Sequence, residues 1–184
     1  LGEDLARGGV FGQYAGLAEE FGCQRVVSTP ISEAMIMNVG LGAALTGTRP
    51  VVEMRISDFT LCAMDELVNQ VAKVRYMFGG QARAPMVIRI PVGCGKKGGD
   101  PWHSMSGEAS YAHMLGWQIA MPSNAVDAVG LLRTALRGDD PTLFLEHRGL
   151  LVDARAQKKY PGDDYCLPFG QAAQCIEGDA LTIV

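Results

Sequence analysis

Arg25-Val26-Val27-Ser28-Thr29-Pro30-Ile31-Ser32-Glu33-Ala34 is the stretch on which the fold turns. Val26 and Val27 are β-branched and read as a short buried strand, which Pro30 ends because it fixes φ and offers no ladder donor. Residues 34–45 are rich in Ala, Met and Leu and read as a helix. Glu33 therefore falls where a strand ends and a helix begins, the usual place for ligands in an open parallel sheet. Two readings of Glu33 stand side by side. It is either an acid in the first helical turn complementing the dipole, with Ser32 near the cap, or a functional carboxylate.

Working outward, the same alternation repeats. A second strand is expected over residues 50–55. A helix follows over 60–78, where Leu61, Met64, Leu67, Val68, Val71 and Val74 form one buried stripe, stopped by Gly79-Gly80. Pro85-Met-Val-Ile-Arg-Ile90 is a nearly continuous apolar run, suiting a strand covered on both faces. Residues 93–102 read as a long polar glycine-rich loop, then a helix over 106–115 and a strand over 117–121. Ser123 or Asn124 caps a further helix running to about Arg137, and residues 141–146 form the last core strand. Residues 8–16 are expected to be loop, with a helical turn over 17–21. Strands alternating with helices of ten or more residues imply an α/β fold, an open parallel sheet with helices on both faces.

Composition narrows the function classes. The 184 residues are 48% hydrophobic and 20% charged, which fits one globular domain and argues against disorder. A net charge of −4 gives no support for nucleic acid or an anionic membrane as partner. The five cysteines, Cys23, Cys62, Cys94, Cys166 and Cys175, are scattered without a C-x-x-C pair, which points to reduced thiols rather than a disulfide scaffold or zinc site. No charged-then-apolar leader opens the sequence and no apolar run reaches spanning length, so a soluble intracellular protein is expected. Residues 1–150 read as one domain and residues 151–184, with their charges and prolines, as an exposed linker. The absence of an initial methionine and a strand just starting at Asp179-Ala-Leu-Thr-Ile-Val184 suggest a longer parent chain.

Single motifs are weak. Gly40-Leu-Gly42 resembles a dinucleotide fingerprint but lies inside the expected helix, so close helix packing explains it better. His103 stands in the long loop and reads as either solvated or functional. His113 and His147 read as structural, and the three histidines are too scattered for a clear metal site. Phe59 alone is most simply a core aromatic.

In combination, Thr29-Pro-Ile-Ser-Glu33, Gly42-Ala-Ala, Gly47-x-Arg-Pro50, Glu53, Asp58-Phe59, Ala72-Lys73, Tyr76-Met77-x-Gly79-Gly80-Gln81, Pro85-x-Val-x-Arg89 and His103-Ser-x-Ser-x-Glu-Ala109 carry a more specific signal. Their order resembles the beta subunit of thiamine-diphosphate-dependent 2-oxo acid dehydrogenases. This is the decarboxylating first component of the pyruvate, branched-chain and acetoin dehydrogenase complexes, in the transketolase-like superfamily. The likeness implies a pyrimidine-binding domain over residues 1–150 and a linker over 151–184 toward a C-terminal domain outside the sequence. It implies oxidative decarboxylation of a small 2-oxo acid and acyl transfer to a lipoyl group.

The same likeness gives residues their roles. Glu33 matches the glutamate that hydrogen-bonds a pyrimidine nitrogen of thiamine diphosphate and favours the tautomer that deprotonates the thiazolium carbon. Partial burial would bring its carboxyl toward operating pH. Phe59 matches the aromatic that stacks on the pyrimidine, and His103 the histidine near the substrate. Arg55 stands beside the pyrimidine where relatives often carry an uncharged side chain; it either recognises an acid group or pairs with Glu53 or Asp58. Met105 stands where many relatives have Gln. The carbonyls near Met86, Ala135, Gly138 and Asp140 match a loop that holds potassium in some relatives. The diphosphate and its magnesium are implied to sit mainly on an alpha subunit, in a heterotetramer that serves a lipoyl acyltransferase core. The compartment implied is the cytoplasm, or the mitochondrial matrix for a eukaryotic source. A transketolase, a deoxyxylulose-phosphate synthase or a split decarboxylase would share Glu33 without needing the His103 motif. A non-catalytic assembly or regulatory module of the same fold is the other class.

Overall fold

The computed structural model describes residues 1–95 and 97–183. Four parallel strands make the main sheet: β3 (Val51–Glu53), β4 (Val87–Val92), β5 (Gln118–Ala120) and β6 (Thr142–His147), in the order β3-β4-β6-β5. A smaller parallel pair joins β1 (Gly2–Glu3) to β2 (Ser28–Thr29). The backbone of Leu1 fastens that pair to β3, its nitrogen donating to Val51 O at 2.7 Å and its carbonyl accepting from Glu53 N at 2.9 Å.

Helices cover both faces, as the alternation requires. On one face lies α2 (Glu33–Leu45), after the five-residue α1 (Leu17–Phe21). With it run a 3₁₀ passage (Ser57–Ala63), a π-helical stretch (Glu66–Val71), α3 (Val74–Met77) and α4 (Glu108–Ala112). Ile36, Met37, Leu41, Leu67, Val71 and Tyr111 pack there against Val52, Ile88, Ile90 and Leu145. On the other face α5 (Ala125–Arg137) packs Ala135, with Leu131 and Leu132 alongside, against Val87, Ala120 and Phe144. β4 is buried on both sides at Val87, Ile88, Ile90 and Val92, which is why its sequence does not alternate. The short α6 (Arg148–Leu151) closes the regular structure.

Two glycines are needed where backbones meet closely. A Cβ on Gly40 of α2 would lie 2.6 Å from Val52 Cγ2, so Gly40 lets α2 settle onto β3. Gly116 has φ +118°, and a Cβ there would lie 1.9 Å from Ala72 O, so the turn into β5 admits no side chain. The first finding fits the packing reading of Gly40; Gly42, by contrast, faces open space.

Some expectations shift. The strand expected at Val26–Val27 forms instead at Ser28–Thr29, as β2 after β1, and it is not buried; Val27 is exposed. β2 pairs only with β1 at the margin of the sheet, so β-branched residues mark the strand's presence but not its cover. The helix expected over 60–78 is one helical passage whose pitch changes three times, and Leu61 on its 3₁₀ turn faces outward. Residues 152–183 hold no helix or strand. They are nonetheless not a free linker throughout, because Arg133 of α5 donates to Tyr165 O at 3.1 Å and also to Gly162 O and Tyr160 OH. The strand expected over 179–184 is not formed over 179–183, and Val184 lies outside the described residues. All five cysteines are free thiols. No helix among the described residues is long and apolar enough to cross a membrane.

Candidate functional site

Because the strands are parallel, the segments that follow them gather at one edge of the sheet. β2 leads to Glu33, β3 to Arg55 and Phe59, β4 to His103, and β6 to Arg148. Open sheets place ligands at this carboxyl edge.

Glu33 opens α2 and is half-buried. Ser32 occupies the cap position, but its side chain makes no capping bond. Among the described residues the Glu33 carboxylate has no hydrogen bond or ion pair. Its charge is felt instead by Glu3 on β1, whose carboxyl is pushed above its usual range by burial first and by Glu33 second. Thr29 Oγ1, just before Glu33, is buried and also lacks a partner. An acid and a hydroxyl left without partners are polar groups that a bound molecule would satisfy.

Phe59 and His103 meet edge to face, ring centroids 5.5 Å apart at 84°. Asp58 ties the two segments together by accepting from Met105 N at 3.1 Å. Asp58, Phe59, Leu61, Trp102, Ser104 and Met105 line an open cleft of about 660 Å³. His103 Nδ1 lies 2.8 Å from Asp100 Oδ1, and its carbonyl accepts from Arg148. His103 thus stands beside the cleft, touching Phe59 and flanked by the lining residues Trp102 and Ser104, whereas His113 is exposed beyond α4 and His147 caps α6 by accepting from Gly149 N at 3.2 Å.

Arg55 takes one of the two roles its position allows. Its Nη1 pairs with Glu53 Oε1 at 3.3 Å, not with Asp58, and its guanidinium lies 5.4 Å from the Phe11 ring. Glu53 is 3% exposed and Arg55 10%, and Glu53 Oε2 and Arg55 Nη2 have no partner. Burial pushes the Glu53 carboxyl above its usual range despite Arg55 and Arg89 nearby. The glycine-rich loop over residues 8–16 covers this network, with Gln13 donating to Glu53 at 3.3 Å and Tyr14 OH accepting from Arg89 at 2.9 Å. Arg89 in turn pairs with Glu146 across β4 and β6 at 2.6 Å.

Met86, Ala135, Gly138 and Asp140 lie at the opposite, amino edge of β4 and β6. Met86 O accepts from Thr142 N at 3.0 Å, Ala135 O from Gly138 N at 3.2 Å, and Gly138 O from Arg49, while Asp140 pairs with Arg75. Two members of the set are thus already engaged by cations of this chain, Gly138 O by Arg49 and Asp140 by Arg75. A separate cleft of about 580 Å³ lies there, between Arg75, Tyr76, Trp117 and Asp140. Among the described residues no group of three or more His, Cys, Asp or Glu could hold a metal ion.

Sequence reasoning missed Asp100, Tyr14, Gln13 and the Arg89–Glu146 pair. The Asp100-Pro101 step was a readable turn signal placing an acid three residues before His103. The others come from separate segments that only the fold brings together.

The family described as "Transketolase, pyrimidine binding domain" matches residues 1–153. The 2-oxoisovalerate dehydrogenase subunit beta of Bacillus subtilis (strain 168) is 44% identical over 185 residues, covering all of this chain and 56% of that protein. The acetoin:2,6-dichlorophenolindophenol oxidoreductase subunit beta of the same organism is 39% identical, over all of this chain and 52% of its own length. The pyruvate dehydrogenase E1 component subunit beta of Rhizobium meliloti (strain 1021) is 40% identical, over all of this chain and 40% of its own. The chain thus spans about half the length of the curated relatives it matches. Among solved structures, a "split gene transketolase, inactive beta4 tetramer" superposes with a TM-score of 0.58 at 15% identity, over 78% of this chain and 42% of that one, a likeness of fold alone.

Proposed function

This chain belongs to the transketolase pyrimidine-binding domain family, and from that premise we propose that it serves as the pyrimidine-binding part of a 2-oxo acid dehydrogenase beta subunit. The reaction is decarboxylation of a small 2-oxo acid with transfer of the acyl group to a lipoyl group. Likeness along the whole chain to beta subunits named for 2-oxoisovalerate, acetoin and pyruvate supports this class over a transketolase or a non-catalytic module. The observation that carries the site is the pairing of Phe59 with His103 at the edge where the uncommitted Glu33 carboxylate begins α2.

The residues present suit thiamine diphosphate, since a free acid and a partly exposed aromatic ring are what an aminopyrimidine needs. When bound, that cofactor supplies a nucleophilic carbon and a sink for the electrons left by decarboxylation. Glu33 holds or gives a proton at the pyrimidine nitrogen, and no cation among the described residues is paired with its carboxylate. Phe59 offers a ring face as the stacking surface. Arg55, through its uncommitted Nη2, is the donor this reading gives to the bound ligand. His103 moves protons at the substrate side of the cleft.

The diphosphate and magnesium fall to an alpha subunit under this reading, with a lipoyl acyltransferase core as the acyl acceptor's carrier. Exposed Ile31, Met35 and Val39 along one side of α2, together with Tyr76, Met77 and Phe78 around α3, are the apolar surface such a partner would cover. The carbonyls at Met86, Ala135, Gly138 and Asp140 are assigned to a structural potassium ion. Residues 1–150 are taken as the cofactor domain and 151–184 as the passage to the rest of the subunit.

The test is Glu33→Gln in the intact subunit co-expressed with its alpha partner. Assembly is expected to be unchanged and turnover to fall by about a hundredfold or more, the scale of a lost proton-transfer group. Near-normal turnover would refute the role of Glu33. Calorimetry showing no binding of thiamine diphosphate with magnesium, even to the assembled pair, would refute the reading as a whole.

A further inference from the structure

The geometry points to Asp100 as a positioning residue that holds the His103 ring with its proton on Nδ1 and leaves its Nε2 lone pair free, beside the cleft that its neighbours Trp102 and Ser104 line. It rests on the proposed function only for the reaction His103 serves; the pairing itself is structural.

Asp100 Oδ1 and His103 Nδ1 are 2.8 Å apart. An ionised carboxylate can only accept, so the hydrogen between them belongs to the imidazole and the neutral ring must be the Nδ1–H tautomer. Asp100 is ionised at neutral pH, because the His103 hydrogen bond and then the Trp102 backbone N–H hold its carboxyl below the usual range. The ring is fixed from several directions. Phe59 packs against it at 5.5 Å, Arg148 from the end of β6 binds the His103 carbonyl, and Ser104 Oγ donates to Asp100 O at 2.8 Å. Nε2 has no hydrogen-bond partner among the described residues.

The chemical consequence is directional. His103 takes a proton at Nε2 from a reacting group and becomes an imidazolium, then returns that proton to the departing or forming group. Throughout, the Nδ1 proton stays on the ring, hydrogen-bonded to Asp100, and the carboxylate balances the charge without being protonated. An orienting acid of this kind fixes the tautomer and the direction in which the ring presents Nε2. Asp100 also accepts from Trp102 N at 2.9 Å, which gives it a second duty as the organiser of the turn. The experiment must separate the two.

Asp100→Asn keeps an oxygen for Trp102 N and removes the charge; Asp100→Ala removes both. Histidine-selective ¹⁵N NMR on the intact subunit, with His103 assigned by the loss of its signals in His103→Gln, reads the tautomer. Kinetics on the complex assembled with the alpha subunit read kcat and KM. The expected result is an Nδ1–H ring in the wild type, a shift toward Nε2–H in Asp100→Ala, and a fall in kcat on the order of tenfold in Asp100→Asn at unchanged KM, part of what a proton-transfer group contributes. The same tautomer in wild type and Asp100→Ala overturns the proposal. So does unchanged kcat in Asp100→Asn, which would leave Asp100 a turn organiser only. A wild-type assembly inactive toward 2-oxo acids would overturn the proposed function instead, while the tautomers would still decide the pairing.

Discussion

Alanine at Gly40 and alanine at Gly42 should move stability in opposite directions. Both positions lie inside α2, and replacing a mid-helix glycine with alanine gains about 1 kcal/mol of helix propensity in either case. At Gly42 nothing lies within 4 Å of the new Cβ, so that gain is all that happens. At Gly40 the Cβ would sit 2.6 Å from Val52 Cγ2 and 3.0 Å from Met86 Cε. The methionine end can swing aside. Val52 cannot, since it is fully buried in β3 and a β-branched side chain has little freedom at χ1. Overpacking of this kind costs about 1–3 kcal/mol, which outweighs the propensity gain. Gly40→Ala should therefore lose on the order of 1 kcal/mol net while Gly42→Ala gains up to about 1 kcal/mol. The difference between the variants cancels the propensity term and isolates the contact. Urea unfolding of the two proteins side by side, at matched m-values, measures it. A difference below about 0.5 kcal/mol would refute the close-packing account of Gly40.

Two further outcomes follow from other parts of the molecule. The Glu53 carboxyl has a folded pKa raised above 4.5, chiefly by burial, so its contribution to stability is present in full below the unfolded value and is lost as pH rises through the folded value. Stability should decline with rising pH in the range just above 4.5, and Glu53→Gln should flatten that decline in pH-dependent unfolding; an unchanged slope counts against a protonated Glu53. Arg133→Met should release the strap over residues 160–165, which Arg133 holds by two carbonyls and the Tyr160 hydroxyl, and so speed proteolysis there while leaving α5 helical; equal cleavage rates would mean that packing of Leu167 and Phe169 suffices.

What could be read from the sequence was local or periodic. The apolar run over residues 85–90 declared a two-sided strand, which forms as β4 over Val87–Val92, because the burial it needed was written in consecutive residues. Asn124 was readable as a cap, and it does accept from Val126 N and Asp127 N. Glu33, Phe59 and His103 were singled out by motif order, and each lies in the segment that follows a strand, Glu33 after β2, Phe59 after β3 and His103 after β4. What escaped were facts set by partners distant in sequence. The exposure of β2 depends on nothing flanking it, and the cover over the Arg55–Glu53 pair, a pairing the sequence did offer, depends on Phe11 and Gln13 arriving from the loop over residues 8–16. The linker's anchoring depends on Arg133, whose reach across α5 no local pattern announces.

The charges at the carboxyl edge explain why Glu33 is left available. Glu3, Glu33, Glu53, Arg55, Arg89 and Glu146 are linked one to the next by charge along this edge, four acids against two cations. Both cations are spoken for, Arg55 by Glu53 and Arg89 by Glu146 and Tyr14, in contacts that bury them. Breaking such a buried pair costs about 3–5 kcal/mol, so neither arginine can turn toward Glu33 without destabilising the sheet edge. Glu33 instead faces Glu3, a like charge that raises the Glu3 carboxyl. A carboxylate with no cation partner among the described residues, four positions after an unsatisfied Thr29 hydroxyl, is relieved by a ligand that brings a proton or an N–H donor. The fold thus spends its cations on closing the loop over residues 8–16 and leaves the acid at the head of α2 with an unmet need that a protonable nitrogen heterocycle would fill.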